Sequence, residues 1–142
     1  MYFVLITAKH SPQELKTIVE NLSPDYLKEL NDLYNSFKWS EVDSATECKM
    51  YAIVDDKTLE ELAKTYCNLE ITWTFEDISK TTLYYDRDKV MLEEKFDEKL
   101  RQMIYDFVTV NTTMDVILDK INEIGSESLT AFDKEILKTE TN

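Results

Sequence analysis

The chain has 142 residues, 43% of them hydrophobic and 11% aromatic, enough to bury a core without staples and far too apolar for a disordered acidic chain. Sixteen Lys and Arg face 29 Asp and Glu, a formal net charge of −13, with 8 basic and 15 acidic side chains in residues 1–80 and 8 and 14 in residues 81–142. A surface this negative repels phosphate backbones and anionic lipid, which disfavours direct nucleic-acid or membrane contact and favours a basic partner.

Residues 2–7 (YFVLIT) are apolar on both faces and predict a buried strand. Ser11-Pro12-Gln13-Glu14 is a helix start, with Ser11 as cap, Pro12 at the first helical position and Glu14 closing the capping box. Leu15, Ile18, Val19 and Leu22 give that helix its apolar side, and Ser23-Pro24 restarts a second helix at once. Residues 40–46, polar and small, read as a loop, and residues 48–54 (CKMYAIV) as a second largely apolar strand. Asp55 or Asp56 caps a third helix. Ile71, Trp73 and Phe75 alternate with polar residues, the period of a strand with one solvated face. Residues 81–85 are expected to return as its hairpin partner. From Asp88 the apolar residues recur at helical spacing to Phe107. A further helix follows a cap at Thr112 or Thr113, ended by Gly125 at positive φ, and Thr130 caps a final short helix with Asp133 in the box position.

The expected order is β-α-α-β-α-β-β-α-α-α. It describes an α+β fold with a mixed four-stranded sheet, helices on one face and a helical C-terminal part. The first two strands, joined by helices, are expected to run parallel. Residues 1–110 form the α+β domain, and residues 111–142 a helical hairpin packed on it or projecting from it.

Several chemistries can be weighed from residue types alone. One glycine leaves no phosphate-binding loop or dinucleotide fingerprint. Cys48 and Cys67 form no CxxC, so reduced thiols and a cytoplasmic setting are expected. The longest apolar run is too short for a signal segment or a membrane span. Glu47-Cys48-Lys49, with Asp43 or Asp55, could supply the acid and E-x-K pair of a metal-dependent nuclease. E-x-K also occurs at Glu14–Lys16 and Glu93–Lys95, so the pattern is common in so charged a chain. Asp55-Asp56 and Asp86-Arg87-Asp88 could hold a divalent cation, but helix caps, at Asp55 or Asp56 and at Asp88, are the simpler account. A metal-dependent hydrolase or nuclease using Asp55, Asp86 or Glu47 is thus the alternative reading. His10, the only histidine, could serve Cys48 or Cys67 as a base, but a loop histidine is the plainer account. Trp73, Phe75, Leu83, Tyr84 and Tyr85 could form a base-stacking face, yet the strands lack the interleaved Lys and Arg it needs.

The last 25 or so residues carry Ile117-Leu118-Asp119-Lys120-Ile121, Gly125, Ser128-Leu129-Thr130, Asp133-Lys134 and Leu137. This segment resembles the short "ILDKI…G…SLT…EK…L" helix-turn-helix tail of many Bacteroidetes-type proteins, some of them rhomboid-like. Here Asp133 replaces the usual Glu, and Ile136 stands where an aromatic residue is frequent. The resemblance implies a bacterial or phage origin and brings no active site with it.

These readings lead to a non-enzymatic acidic interaction protein, such as an inhibitor, an immunity-type protein, a DNA mimic or an assembly component. Its expected partner is a basic protein surface, with no cofactor, metal or catalytic residue. Glu93, Glu94, Asp97 and Glu98 are the expected contact residues, on the outward side of a helix.

Overall fold

The computed structural model describes residues 1–141, with side chains as far as Thr139. Its elements are β1 (Tyr2–Ala8), α1 (Pro12–Glu20), α2 (Pro24–Asn35), β2 (Lys38–Asp43), β3 (Cys48–Val54), α3 (Asp56–Asn68) and β4 (Trp73–Asp77). There follow α4 (Ser79–Leu83), α5 (Arg87–Val90), α6 (Glu98–Asn111), α7 (Met114–Ile124), a 3₁₀ turn (Ser126–Ser128) and α8 (Ala131–Thr141). The chain divides into two units, Met1–Ser79 and Lys80–Asn142.

The first unit is built on one four-stranded sheet in the order β2-β3-β1-β4. Every pairing is antiparallel, with Leu5 of β1 facing Tyr51 of β3 on one side and Glu76 of β4 on the other. The sheet is therefore not mixed, and β1 and β3 are adjacent but not parallel. The reason lies in residues 40–46, expected as a loop, which instead contribute most of β2. Ser44 and Glu47 close a tight turn, with the Ser44 N–H donating to the Glu47 carbonyl at 2.9 Å, and β2 returns directly as β3. The helical crossover thus joins β1 to β2, two strands that run parallel with β3 between them. By the same logic α3 joins β3 to β4 with β1 between them. Two interleaved split β-α-β units in this order make the ferredoxin-like arrangement, with α1 and α2 together filling the first helical position.

Capping follows the expected residues. The Ser11 hydroxyl accepts from the Glu14 N–H at 3.2 Å and the Glu14 carboxylate from the Ser11 N–H at 3.1 Å. These hydrogen bonds hold the Glu14 carboxyl below its usual range. Ser23 caps α2 and Asp55 caps α3. Residues 79–83 are helical and do not form the expected hairpin strand. Asp77 Oδ1 accepts from the Ser79 N–H at 2.9 Å, and the Ser79 hydroxyl accepts from the Phe3 N–H at 2.8 Å. This local bonding overrides the β-branched and aromatic propensity of residues 81–85.

The second unit is helical. The long helix expected from Asp88 is broken: α5 ends at Val90, residues 91–97 turn, and Asp97 caps α6 through its Oδ1, 2.7 Å from the Leu100 N–H. Val90, Leu100, Met103, Ile104, Phe107, Val108 and Ile117 are buried. Gly125 ends α7 at φ 90° and ψ 157°, a region essentially reserved for glycine. Thr130 and Asp133 then form a reciprocal cap at α8: the Thr130 hydroxyl accepts from the Asp133 N–H at 3.1 Å, and Asp133 Oδ2 accepts from the Thr130 N–H at 3.0 Å. The same Oδ2 accepts from Lys120 Nζ of α7 at 2.7 Å, with both side chains buried. The tail is thus a helical hairpin with an ion pair inside it.

Removing one partner of a buried pair leaves a charge without compensation, at a cost of about 3–5 kcal/mol. Lys120→Met should lower stability by about that amount in urea unfolding followed by far-ultraviolet circular dichroism. A loss below about 1 kcal/mol, the range of exposed ion pairs, would mean that Lys120 and Asp133 are not buried together.

Candidate functional site

Antiparallel register sends alternate side chains of all four strands to a common face. Val4, Ile6 and Ala8 share it with Ala52, Met50 and Cys48 of β3, with Trp39, Glu41 and Asp43 of β2, and with Trp73 and Phe75 of β4. Two helices close one part of this face. Leu62 and Tyr66 of α3 are buried against Val4, Ile6, Met50, Ala52 and Val54, and Leu33 and Tyr34 of α2 pack on the same cluster. The Tyr34 and Tyr66 hydroxyls meet at 2.7 Å, and the Trp39 indole N–H donates to the Tyr34 carbonyl at 2.8 Å. Burial raises both phenols above their ordinary pKa, with Glu41's charge a smaller cause in the same direction.

Beside this closed part lies a cleft of about 610 Å³. Ile6, Ala8 and Met50 form its floor, while Leu15, Ile18 and Val19 of α1 and Leu27 and Leu30 of α2 form its roof. No residue of α1 or α2 is buried, although both helices carry a clear apolar side. The C-terminal part of α2 seats Leu33 and Tyr34 on the core cluster, whereas the inner face of α1, with Leu27 and Leu30 of α2, lines the cleft.

One end of the cleft is polar. Glu41 and Asp43 lie in register with Met50 and Cys48 and line the cleft with them. Burial pushes the Cys48 thiol up to about 11; the charge of Asp43, a hydrogen bond to that carboxylate and the charge of Glu41 act in the same direction. Asp43 and Glu41 act on this thiol and His10 does not. His10 Nε2 accepts from the Thr72 N–H at 2.9 Å and Nδ1 lies 3.5 Å from Glu14 Oε2, so the ring ties the loop before β4 to the start of α1. Cys67 is exposed on α3.

The other residues considered from sequence stand apart. Glu47 pairs with Lys9 at 3.2 Å and precedes β3, whereas Asp55 follows it and caps α3 through the Thr58 N–H at 2.7 Å. At about 3.3 Å per residue, the length of β3 separates Glu47 from Asp55 by roughly 25 Å. Asp86 belongs to the second unit, where it, and not Asp88, caps α5 through the Asp88 N–H at 3.2 Å. Arg87 lies over the Phe132 ring at 3.8 Å. Among the described residues, no group of three or more His, Cys, Asp or Glu could hold a metal ion. Phe75, on the apolar side of the strand expected from the period of two, is half exposed and stacks on Trp73 at 5.8 Å.

Glu93 and Glu94 lie in the turn before α6 and not on a helix. Asp97 is the α6 cap and Glu98 its first residue. Glu94, Asp97 and Glu98 are exposed and Glu93 is half-buried. The residues missed from sequence are Tyr34 and Tyr66 as a hydroxyl pair, and Glu41 on an inward strand face. The signal was present in Trp39, Glu41 and Asp43, whose spacing of two is a strand period inside a segment whose polarity suggested a loop.

No protein-family model matches the chain, and neither curated proteins nor solved structures match it. No helix among the described residues is long and apolar enough to cross a membrane.

The thiol reports on this geometry. A pKa near 11 leaves Cys48 protonated at pH 8, so iodoacetamide should alkylate exposed Cys67 first, and the Cys48 rate should climb as pH rises towards 11. Asp43→Asn removes a charge that disfavours the thiolate, so it should lower this pKa and speed Cys48 alkylation at pH 8. Mass spectrometry showing equal rates at the two cysteines, or no response to Asp43→Asn, would contradict the placement of Asp43 beside Cys48.

Proposed function

We propose that this protein is a non-enzymatic acidic interaction protein that binds a basic protein surface, as an inhibitor, an immunity-type protein, a DNA mimic or an assembly component. One observation carries the reading. Among the described residues Asp133 is the one buried carboxylate, and buried Lys120 neutralises it. The pair contributes −1 and +1 to the net charge of −13, and among the described residues every other charged side chain lies outside the buried core. Self-repulsion of that charge costs stability in the free protein and is relieved when a basic surface is bound. Glu93, Glu94, Asp97 and Glu98 are the proposed contact residues, a run of four carboxylates in six positions. The tail's likeness to Bacteroidetes-type proteins supports a bacterial or phage origin, and two cysteines outside any disulfide suit a cytoplasmic setting.

Electrostatic steering acts on encounter more than on escape. With a partner captured from the native source, stopped-flow association should slow by about tenfold or more between 0.01 and 0.15 M salt, as the screening length falls from ~30 to ~8 Å. Dissociation should change much less. The Glu93→Gln, Glu94→Gln, Asp97→Asn, Glu98→Gln variant should associate more slowly at low salt and approach the parent at high salt. Its α6 cap survives, because Asn caps about as well as Asp. An acidic partner, or an association rate indifferent to salt, would overturn the proposal.

A further inference from the structure

The cleft in the first unit supports an inference independent of the basic-protein reading. We propose that the cleft between α1, α2 and the sheet binds a small amphipathic cation: a molecule with an apolar body and a protonated amine at one end.

Its volume of about 610 Å³ lies within the roughly 300–1,000 Å³ typical of small-molecule pockets. The lining is apolar over its length, from Ile6 and Met50 below to Leu15, Ile18 and Leu30 above. An apolar ligand body would complete the burial of α1, none of whose residues is buried in the protein's own packing.

The polar end selects the head group. Glu41 and Asp43 stand on the cleft face in register with Met50 and Cys48, and two carboxylates side by side disfavour a second negative group there. The two lysines that line the cleft do not reverse this sign. Lys49 is one residue out of phase with Cys48 and Met50, so its side chain leaves from the opposite face of the sheet. Lys16 lies on α1 within 4.0 Å of Glu20. An ammonium group at the β2 end would meet carboxylates and the Tyr34–Tyr66 hydroxyl pair, whereas a carboxylate head would meet like charge. A neutral head would gain the apolar contacts alone.

The test uses dodecylamine, which is protonated at pH 7, together with dodecanoate and dodecanol, all below their aggregation concentrations. Binding to the full chain is read by methyl chemical-shift titration of Ile18 and Met50 and by calorimetry. Dodecylammonium should saturate at one site and bind about tenfold tighter than dodecanoate, the discrimination expected from two partly exposed carboxylates. Glu41→Gln with Asp43→Asn should remove most of that preference while leaving dodecanol binding unchanged. Glu94→Gln with Glu98→Gln changes the net charge equally but lies outside the cleft, and it should leave the preference intact. Ile18→Trp should weaken all three ligands by filling the roof. If this variant fails to fold, the methyl shifts in the parent still place the ligand. The proposal is overturned if dodecylamine does not saturate, if dodecanoate binds as well, if the Ile18 and Met50 methyls do not move, or if the Glu94/Glu98 variant loses the preference as fully as the Glu41/Asp43 variant.

Discussion

The hydrogen bond between the Tyr34 and Tyr66 hydroxyls, 2.7 Å long, is the constraint on which the arrangement of the first unit depends. It joins α2 to α3 above the sheet, and the Trp39 indole N–H, donating to the Tyr34 carbonyl, joins the same point to β2. α2, the strand that follows it and α3 are thereby held at one place, with Tyr34 and Tyr66 32 positions apart in the chain. Aromatic packing reinforces it, with Tyr34 edge-on to Trp39 at 5.7 Å and Tyr66 edge-on to Trp73 at 5.1 Å. Around this clamp the sheet face is filled. Away from it α1 stands over apolar floor without burying a side chain, and the cleft is the consequence. A ferredoxin-like order by itself assigns no function. What distinguishes this molecule is the split of the first helical position into α1 and α2, which allows one helix to be anchored and the other to roof a space.

Charge and packing are arranged on separate levels. The tail of the second unit buries a lysine and an aspartate together, and Asp133 also completes the α8 cap, so one carboxylate both orients a helix start and compensates a buried cation. Among the described residues the remaining carboxylates are exposed or half-buried. Several have local structural duties there: Asp55, Asp86 and Asp97 are caps, and Glu123 accepts from Lys80 and from the Tyr84 hydroxyl, which lowers its carboxyl pKa. Residues that read as scattered metal ligands in the sequence are thus largely accounted for by helix termini and ion pairs.

Much of the fold could be read directly. Ser11, Ser23 and Thr130 cap as expected, Asp55 and Thr113 cap where Asp56 and Thr112 were open alternatives, and Gly125 ends α7 at a φ of 90° that other residues adopt only at a cost. What was hidden has specific causes. β2 is a short edge strand, and edge strands are kept polar to discourage pairing with other chains, so its six residues resemble a loop. Missing it reversed β3 and made an antiparallel sheet appear mixed. Residues 81–85 have strand propensity, but the hydrogen bonds accepted by the Asp77 carboxylate and the Ser79 hydroxyl turn the chain into α4 instead. The break at 91–97 is invisible to an apolar periodicity that continues in phase across it. Lys120 gave no sign of burial, since its partner thirteen positions away is brought to it only by the turn at Gly125. Nothing in the sequence marks Tyr34 and Tyr66 as partners, because their pairing is tertiary.

α1 is lightly seated over an open cleft, while α3 is part of the closed core. Native-state hydrogen–deuterium exchange resolved by residue measures this directly, because amide protection follows the free energy of local opening. Amides of residues 16–20 in α1 should exchange at least about tenfold faster than those of residues 60–66 in α3 and those in the centre of β1, a difference of roughly 1.4 kcal/mol or more in opening free energy. Protection of α1 equal to that of α3 would mean that α1 is packed into the core and that the cleft does not exist in solution.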